Sequence, residues 1–123
     1  MWCLGNCIFV YIIFSSVLQN FIVLPQSTNK KLIVWTRNQD VVNSVQEIRE
    51  NRLRLPGYIL PQNIIVTNDI NQMGNCSIIL IAVPMQQLRS VVELHKSRLE
   101  GKILVACCKG FEVSTGLGPT SIL

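Results

Sequence analysis

The 123-residue chain has no charged side chain before Lys30, and Gly5 is the one glycine ahead of Gly57. With no basic residue in front of its apolar stretch, the N-terminus lacks the pattern of a secretory signal. Histidine occurs once, at His95, and none of the five cysteines (Cys3, Cys7, Cys76, Cys107, Cys108) stands in a C-x-x-C pair, so zinc-ligand spacing is absent. Adjacent Cys107 and Cys108 would point to opposite faces of a strand and make poor disulfide partners. This cysteine usage fits a reducing, cytoplasmic compartment. The net charge of +4 comes from scattered Lys and Arg, which gives weak attraction to anions in general and no nucleic-acid footprint. Internal repeats and low-complexity tracts are also missing.

Apolar residues are what the chain has in excess, at 49% against 15% charged. The length allows one domain with a modest core. The excess is concentrated early, in Ile8–Leu24, which is apolar apart from Ser15, Ser16, Gln19 and Asn20. That stretch sits at the lower limit for a membrane-spanning helix, and Gln19-Asn20 count against one. Hydropathy alone leaves a buried helix, a strand and a membrane span open. From Lys30 onward the pattern is that of an ordinary α/β protein.

Pro25–Lys31 has loop chemistry. Leu32–Thr36 (LIVWT) is β-branched and aromatic and reads as a strand, with Asn38 or Asp40 placed to cap the next helix. Within Gln39–Arg52, Val41, Val45 and Ile48 step by four and three along one helical face. Two prolines, Pro56 and Pro61, then mark a loop. Asn63–Thr67 is the next strand, Asn68–Asn75 is turn-like, and Ser77–Val83 (SIILIAV) is a strand buried on both faces that Pro84 ends. Met85–Glu100 reads as a helix with Leu88, Val91, Val92, His95 and Leu99 on its inner face. His95 lies on that buried stripe with no acidic or hydroxyl partner in a motif, which favours a packed histidine over a catalytic one. Gly101 ends the helix as a C′ residue. Ile103–Cys108 is a further apolar run, read as a strand buried on both faces.

Lys109-Gly110 closes that last strand. A Lys at the carboxyl end of a parallel strand stands where open α/β sheets bind ligands, and its compact charge suits a phosphate or carbonyl oxygen. A solvated loop Lys is the alternative. Strands alternating with helices argue for a parallel, doubly wound sheet. At the end of the second strand of such a sheet, an acid binds a ribose 2′-hydroxyl and a nearby Arg accepts a 2′-phosphate. Arg37, with no acid until Asp40, leans toward NADP over NAD; a structural Arg at a strand end is the alternative.

Four blocks carry a family likeness: WTRN (Trp35–Asn38), ENRLRLPGYILPQNI (Glu50–Ile64), AVPMQQLR (Ala82–Arg89) and CCKGFEVSTG (Cys107–Gly116). In this order and spacing the chain resembles bacterial-type NAD(P)-dependent glycerol-3-phosphate dehydrogenase, from about Ser15 or Lys30 to the C-terminus. The resemblance implies an α/β fold with a Rossmann-like doubly wound parallel sheet. Residues 1–24 form an apolar N-terminal segment without clear family match, and residues 25–123 a partial NAD(P)-binding Rossmann domain. It implies an oxidoreductase that reduces dihydroxyacetone phosphate to sn-glycerol 3-phosphate, the backbone precursor of phospholipids. By similarity Arg37 matches the family's cofactor-binding Arg, and Lys109 the Lys shared by cofactor and substrate. Pro84, with Met85 and Gln86, would line the nicotinamide side. Arg54 stands where the family often has Tyr. A homodimer is left open for the full-length family member.

The departures are as specific. A family member opens with a strand and a G-x-G-x-x-G turn whose glycines let the backbone approach the pyrophosphate. Gly5 alone supplies no such turn, so the first strand and the glycine-rich turn are both missing from the pattern. In a 3-2-1-4-5 sheet that strand is central, and its loss would leave ladder groups unpaired at about 1–3 kcal/mol each. Ile8–Phe14 is the one stretch whose order along the chain permits a replacement. By resemblance the general acid, a second Lys, and the substrate-phosphate residues belong to a helical domain beyond Leu123. The expectation is a truncated or frame-disrupted form of the dehydrogenase, inactive by itself. A non-catalytic nucleotide- or phosphate-binding module and a small membrane-anchored protein are the alternatives.

Overall fold

The computed structural model describes residues 30–52 and 56–123, together with the backbone of 7–12. Five strands form one parallel sheet: β1 Cys7–Ile12, β2 Lys31–Trp35, β3 Ile64–Thr67, β4 Ile78–Ala82 and β5 Ile103–Ala106, in the order β3-β2-β1-β4-β5. The doubly wound sheet is therefore as expected. Its central place, for which the sequence pattern offered no family strand, is taken by β1. Backbone pairing aligns Ile8 with Leu32 on one side and with Ile78 on the other. This corrects the expectation of a missing first strand, and the physical reason is the cost of leaving β2 and β4 without a partner. Because Cys7–Ile12 is a strand, Ile8–Leu24 is not one continuous helix. Its remainder, Pro25–Asn29 and Arg54 lie outside the described residues. Among the described residues no helix is long and apolar enough to cross a membrane.

Side-chain alternation sorts the core onto the two faces of the sheet. Leu32 and Val34 of β2, with Leu80 and Ala82 of β4, pack against Val41, Val42 and Val45 of helix α1, Gln39–Ile48. Ile33 and Trp35, with Ile79 and Ile81, pack against Met85, Leu88, Val91 and Leu99 of helix α2, Met85–Leu99. His95 is buried on the same inner face of α2, and burial, helped by the Arg98 charge, holds its imidazole below its ordinary value. A short helix α3, Pro119–Ile122, follows.

Helix α1 starts where Asn38 caps it, the Oδ1 accepting from the Asp40 N–H at 2.9 Å and the Val41 N–H at 3.4 Å. It stops at Ile48, earlier than the periodicity to Arg52 suggested, because Arg49 turns into the left-handed region at φ 57°. The Arg49 Nη2 then donates to the Ile64 carbonyl at 2.9 Å and also to those of Pro61 and Leu60, fixing the loop that leads into β3. The turn-like stretch before β4 is a 3-10 run, Ile70–Asn75, capped by Asp69. Gly101, at φ 74°, follows α2 as expected. β5 departs from expectation. It is one of the two edge strands, Ile103 is 62% and Val105 38% exposed, and the run is not buried on both faces.

Candidate functional site

With every ladder parallel, all five strands deliver their carboxyl ends to one edge. A single row of paired residues crosses the sheet just inside it: Thr67, Trp35, Tyr11, Ile81 and Ala106. Immediately past that row come Arg37 after β2, Pro84 after β4 and Lys109 after β5. At about 4.8 Å per strand, the exits of β2 and β5 stand about 14 Å apart, with that of β4 between them. The chain runs outward from β1 to β3 and then crosses to β4, so the change of direction falls between β1 and β4. Open α/β sheets form their ligand crevice at that change of direction.

Each position is held by its neighbours. Arg37 is exposed, between Thr36, whose N–H donates to the Thr67 carbonyl at 3.0 Å, and the capping Asn38, whose N–H donates to Thr36 Oγ1 at 3.2 Å. The Trp35 indole donates to the Asn68 carbonyl at 2.9 Å and ties the β2 exit to the β3 exit. Pro84 is half-buried ahead of α2, where a missing N–H costs nothing. Met85 is buried in the core. Lys109 is exposed, one residue before Gly110, whose φ of 95° turns the chain out of the strand.

A group of contacts without a sequence signal shapes the loop after Lys109. The Gln86 amide spans it, Nε2 donating to the Phe111 carbonyl at 2.9 Å and Oε1 accepting from the Val113 N–H at 3.0 Å. Arg89 makes a two-pronged pair with Glu112, Nε to Oε1 at 2.9 Å and Nη2 to Oε2 at 2.8 Å, while the Thr115 hydroxyl donates to Oε2. Glu112 is buried, and the Arg89 hydrogen bonds, followed by that of Thr115, hold its carboxyl down at about 2. The loop closes on itself through Glu112 N–H to Leu117 O at 2.9 Å and Gly116 N–H to Glu112 O at 2.7 Å. Beside it, burial pushes the Cys107 and Cys108 thiols up, which leaves them weak nucleophiles at neutral pH. What the edge offers chemically is one exposed cation past the β2 exit and another past the β5 exit, with a half-buried, rigid Pro84 at the β4 exit between them.

Residues 20–123 match the family model for the N-terminus of NAD-dependent glycerol-3-phosphate dehydrogenase. The chain belongs to this family. It is 47% identical over 90 residues to glycerol-3-phosphate dehydrogenase [NAD(P)+] of Ruegeria sp. (strain TM1040), covering 73% of this chain and 28% of that protein. To the enzyme of the same name from Roseobacter denitrificans it is 40% identical over 89 residues, covering 72% of this chain and 28% of that protein. Among solved structures, glycerol-3-phosphate dehydrogenase from Coxiella burnetii shares the fold at a TM-score of 0.81 and 22% identity, over 96% of this chain and 36% of that one. The Plasmodium falciparum glycerol-3-phosphate dehydrogenase does so at 0.70 and 21%, over 90% and 34%. The chain thus spans less than a third of the length of the curated relatives it matches. What it shares with the dehydrogenase family is the N-terminal domain.

Proposed function

We propose that this chain is the NAD(P)-binding part of a glycerol-3-phosphate dehydrogenase that interconverts dihydroxyacetone phosphate and sn-glycerol 3-phosphate, the backbone of phospholipids. The observation that supports this most is the common carboxyl edge carrying Arg37, Pro84 and Lys109, in a chain of this family. The residues present fit the two ends of a dinucleotide. Arg37 is an exposed cation at the β2 exit with no carboxylate before Asp40, which suits a 2′-phosphate and favours NADP over NAD. Lys109 is an exposed ammonium at the β5 exit, suited to an anionic or carbonyl oxygen. Residues 13–29, which follow β1, contain no glycine and lie outside the described residues.

When bound, the nicotinamide supplies or accepts the hydride. Pro84, whose ring fixes the backbone at the β4 exit, would bound the nicotinamide side. Lys109 would orient the substrate oxygen and stabilise negative charge developing on it, without itself delivering the proton. Proton transfer and grip on the substrate phosphate would come from groups outside these 123 residues, so the chain alone binds without turning over. The reading places the protein in the cytoplasm, with residues 25–123 as its partial cofactor domain and a homodimer as the assembly of the full-length enzyme.

The test is fluorescence titration of the purified chain with NADPH and NADH, alongside an NADPH-oxidation assay with dihydroxyacetone phosphate. Saturable NADPH binding that weakens about ten- to a hundred-fold in Arg37→Ala, with NADH binding nearly unchanged, is expected from the loss of one charge-assisted phosphate contact. No saturable binding of either nucleotide would overturn the reading, and turnover by the chain alone would overturn its dependence on outside groups.

A further inference from the structure

Lys109 is the exposed cation at the β5 exit, and its backbone is pinned on both sides. Behind it, the Cys107 N–H donates to the Ile81 carbonyl at 2.9 Å, and the Cys108 thiol reaches the same carbonyl at 3.5 Å. Ahead of it, the Phe111 carbonyl and the Val113 N–H are both engaged by the one amide of Gln86. Only Cys108, Lys109 and Gly110 lie between these anchors. A third anchor follows directly, the Arg89–Glu112 pair, with the carboxylate buried and Thr115 on its second oxygen. Gln86 and Arg89 sit on the first turns of α2, the helix that begins straight after Pro84, so both strand exits are referenced to one rigid element.

A side-chain amide with both ends committed to backbone partners is a poor candidate for ligand contact, and a two-pronged ion pair that buries one carboxylate is a costly way merely to close a surface loop. The loop also has its own internal closure through Glu112 N–H and Gly116 N–H. The anchors therefore fix where the loop sits, a different task from keeping it folded.

We propose that Gln86 and the Arg89–Glu112 pair are positioning residues for Lys109: they hold the Lys109–Val113 backbone against α2, so that the ammonium meets a bound anionic oxygen at a fixed place beside the β4 exit. None of the three touches the ligand. This rests on the cofactor reading above for what Lys109 meets, and not for the clamp itself. It also reassigns Gln86, which the family likeness set on the nicotinamide side, to the loop.

The experiment is limited trypsin digestion of the folded chain, followed by mass spectrometry, paired with NADPH titration. Trypsin cuts after exposed Lys109 and after exposed Arg37, and Arg37 lies on the far side of the edge, so it reports general loosening. Gln86→Ala and Arg89→Glu should each speed cleavage after Lys109 about ten-fold, as expected when local hydrogen bonds are lost, with cleavage after Arg37 unchanged. The double variant Arg89→Glu with Glu112→Arg should restore slow cleavage, and the single variants should weaken NADPH binding several-fold. Unchanged cleavage after Lys109, or equal acceleration at Arg37, overturns the clamp. Accelerated cleavage with undiminished NADPH binding overturns the positioning role. If the unaltered chain binds no NADPH, the cofactor reading fails on its own, and the cleavage rates still decide for or against the clamp.

Discussion

Arg49 sets two effects of similar size against each other. It ends α1 at φ 57°, a conformation that costs a non-glycine residue about 1 kcal/mol. Its guanidinium holds the Pro61 and Ile64 carbonyls, and a hydrogen bond from a charged donor contributes about 1.5–3 kcal/mol. The Arg49 side chain is only half-buried and water can replace part of what is lost, so a total near 2–3 kcal/mol is the reasonable figure. Arg49→Ala keeps the backbone cost and loses the bonds, so it should destabilise by about 2–3 kcal/mol. Arg49→Gly loses the same bonds but relieves the backbone, so its loss should be about 1 kcal/mol smaller. Urea denaturation of the chain, with slopes compared to confirm a common unfolded state, measures both. If Ala and Gly are equally destabilising, the left-handed backbone carries no cost. If both match the unaltered protein, the guanidinium contributes nothing to holding the loop before β3.

Acid should act through Glu112. Arg89 and Thr115 depress its folded-state value from the ordinary 4.5 to about 2, and Glu93 is the other carboxylate near that Arg89. Its contribution to stability is thus complete above the ordinary value and fades as pH falls from about 4.5 toward 2. The stability gap between the unaltered chain and Glu112→Gln, measured by denaturant titration, should close over that window; a gap independent of pH would refute the assignment. On α2, Leu88 is 0% exposed and Leu94 72%. Leu88→Ala should cost about 2–5 kcal/mol and Leu94→Ala less than about 0.5, and comparable losses in thermal melts would contradict the facing of the helix. At the sheet edge, Ile103→Lys should leave stability within about 0.5 kcal/mol and reduce concentration-dependent association in sedimentation velocity, because an exposed apolar edge strand invites pairing.

The parts of the fold legible in the sequence were those with a period or a run to count. LIVW and IILIA announced β2 and β4, and the stepping of Leu88, Val91, His95 and Leu99 announced α2 together with its buried face. β1 was harder because an apolar run of its length looks the same whether it is a strand, a helix or a membrane span. What decides it is the need of β2 and β4 for a common neighbour, a requirement that exists only once the sheet order is known. β5 failed for the converse reason. ILVA has the composition of a buried strand, and whether its outer face is covered depends on its rank in the sheet and not on its residues.

The site divides along the same line. Arg37, Pro84 and Lys109 could be picked out because each stands at the end of a recognisable strand, and parallel strands must bring their ends together. The contacts that join Gln86, Arg89 and Glu112 to the loop could not. Their pairing spans 23 to 27 positions and follows no period, and a Gln, an Arg and a Glu on polar stretches look like ordinary solvent-facing residues until the loop folds back on α2. A parallel sheet thus fixes which residues reach the ligand edge, and leaves how firmly they are held there to contacts between a loop and the next helix. On the proposed cofactor reading, variation at Arg37 or Lys109 would alter what is bound. Under the proposed clamp, variation at Gln86 or Glu112 would alter how reproducibly Lys109 is presented, and a change at Arg37 separates from these experimentally in the proteolysis rate at Lys109.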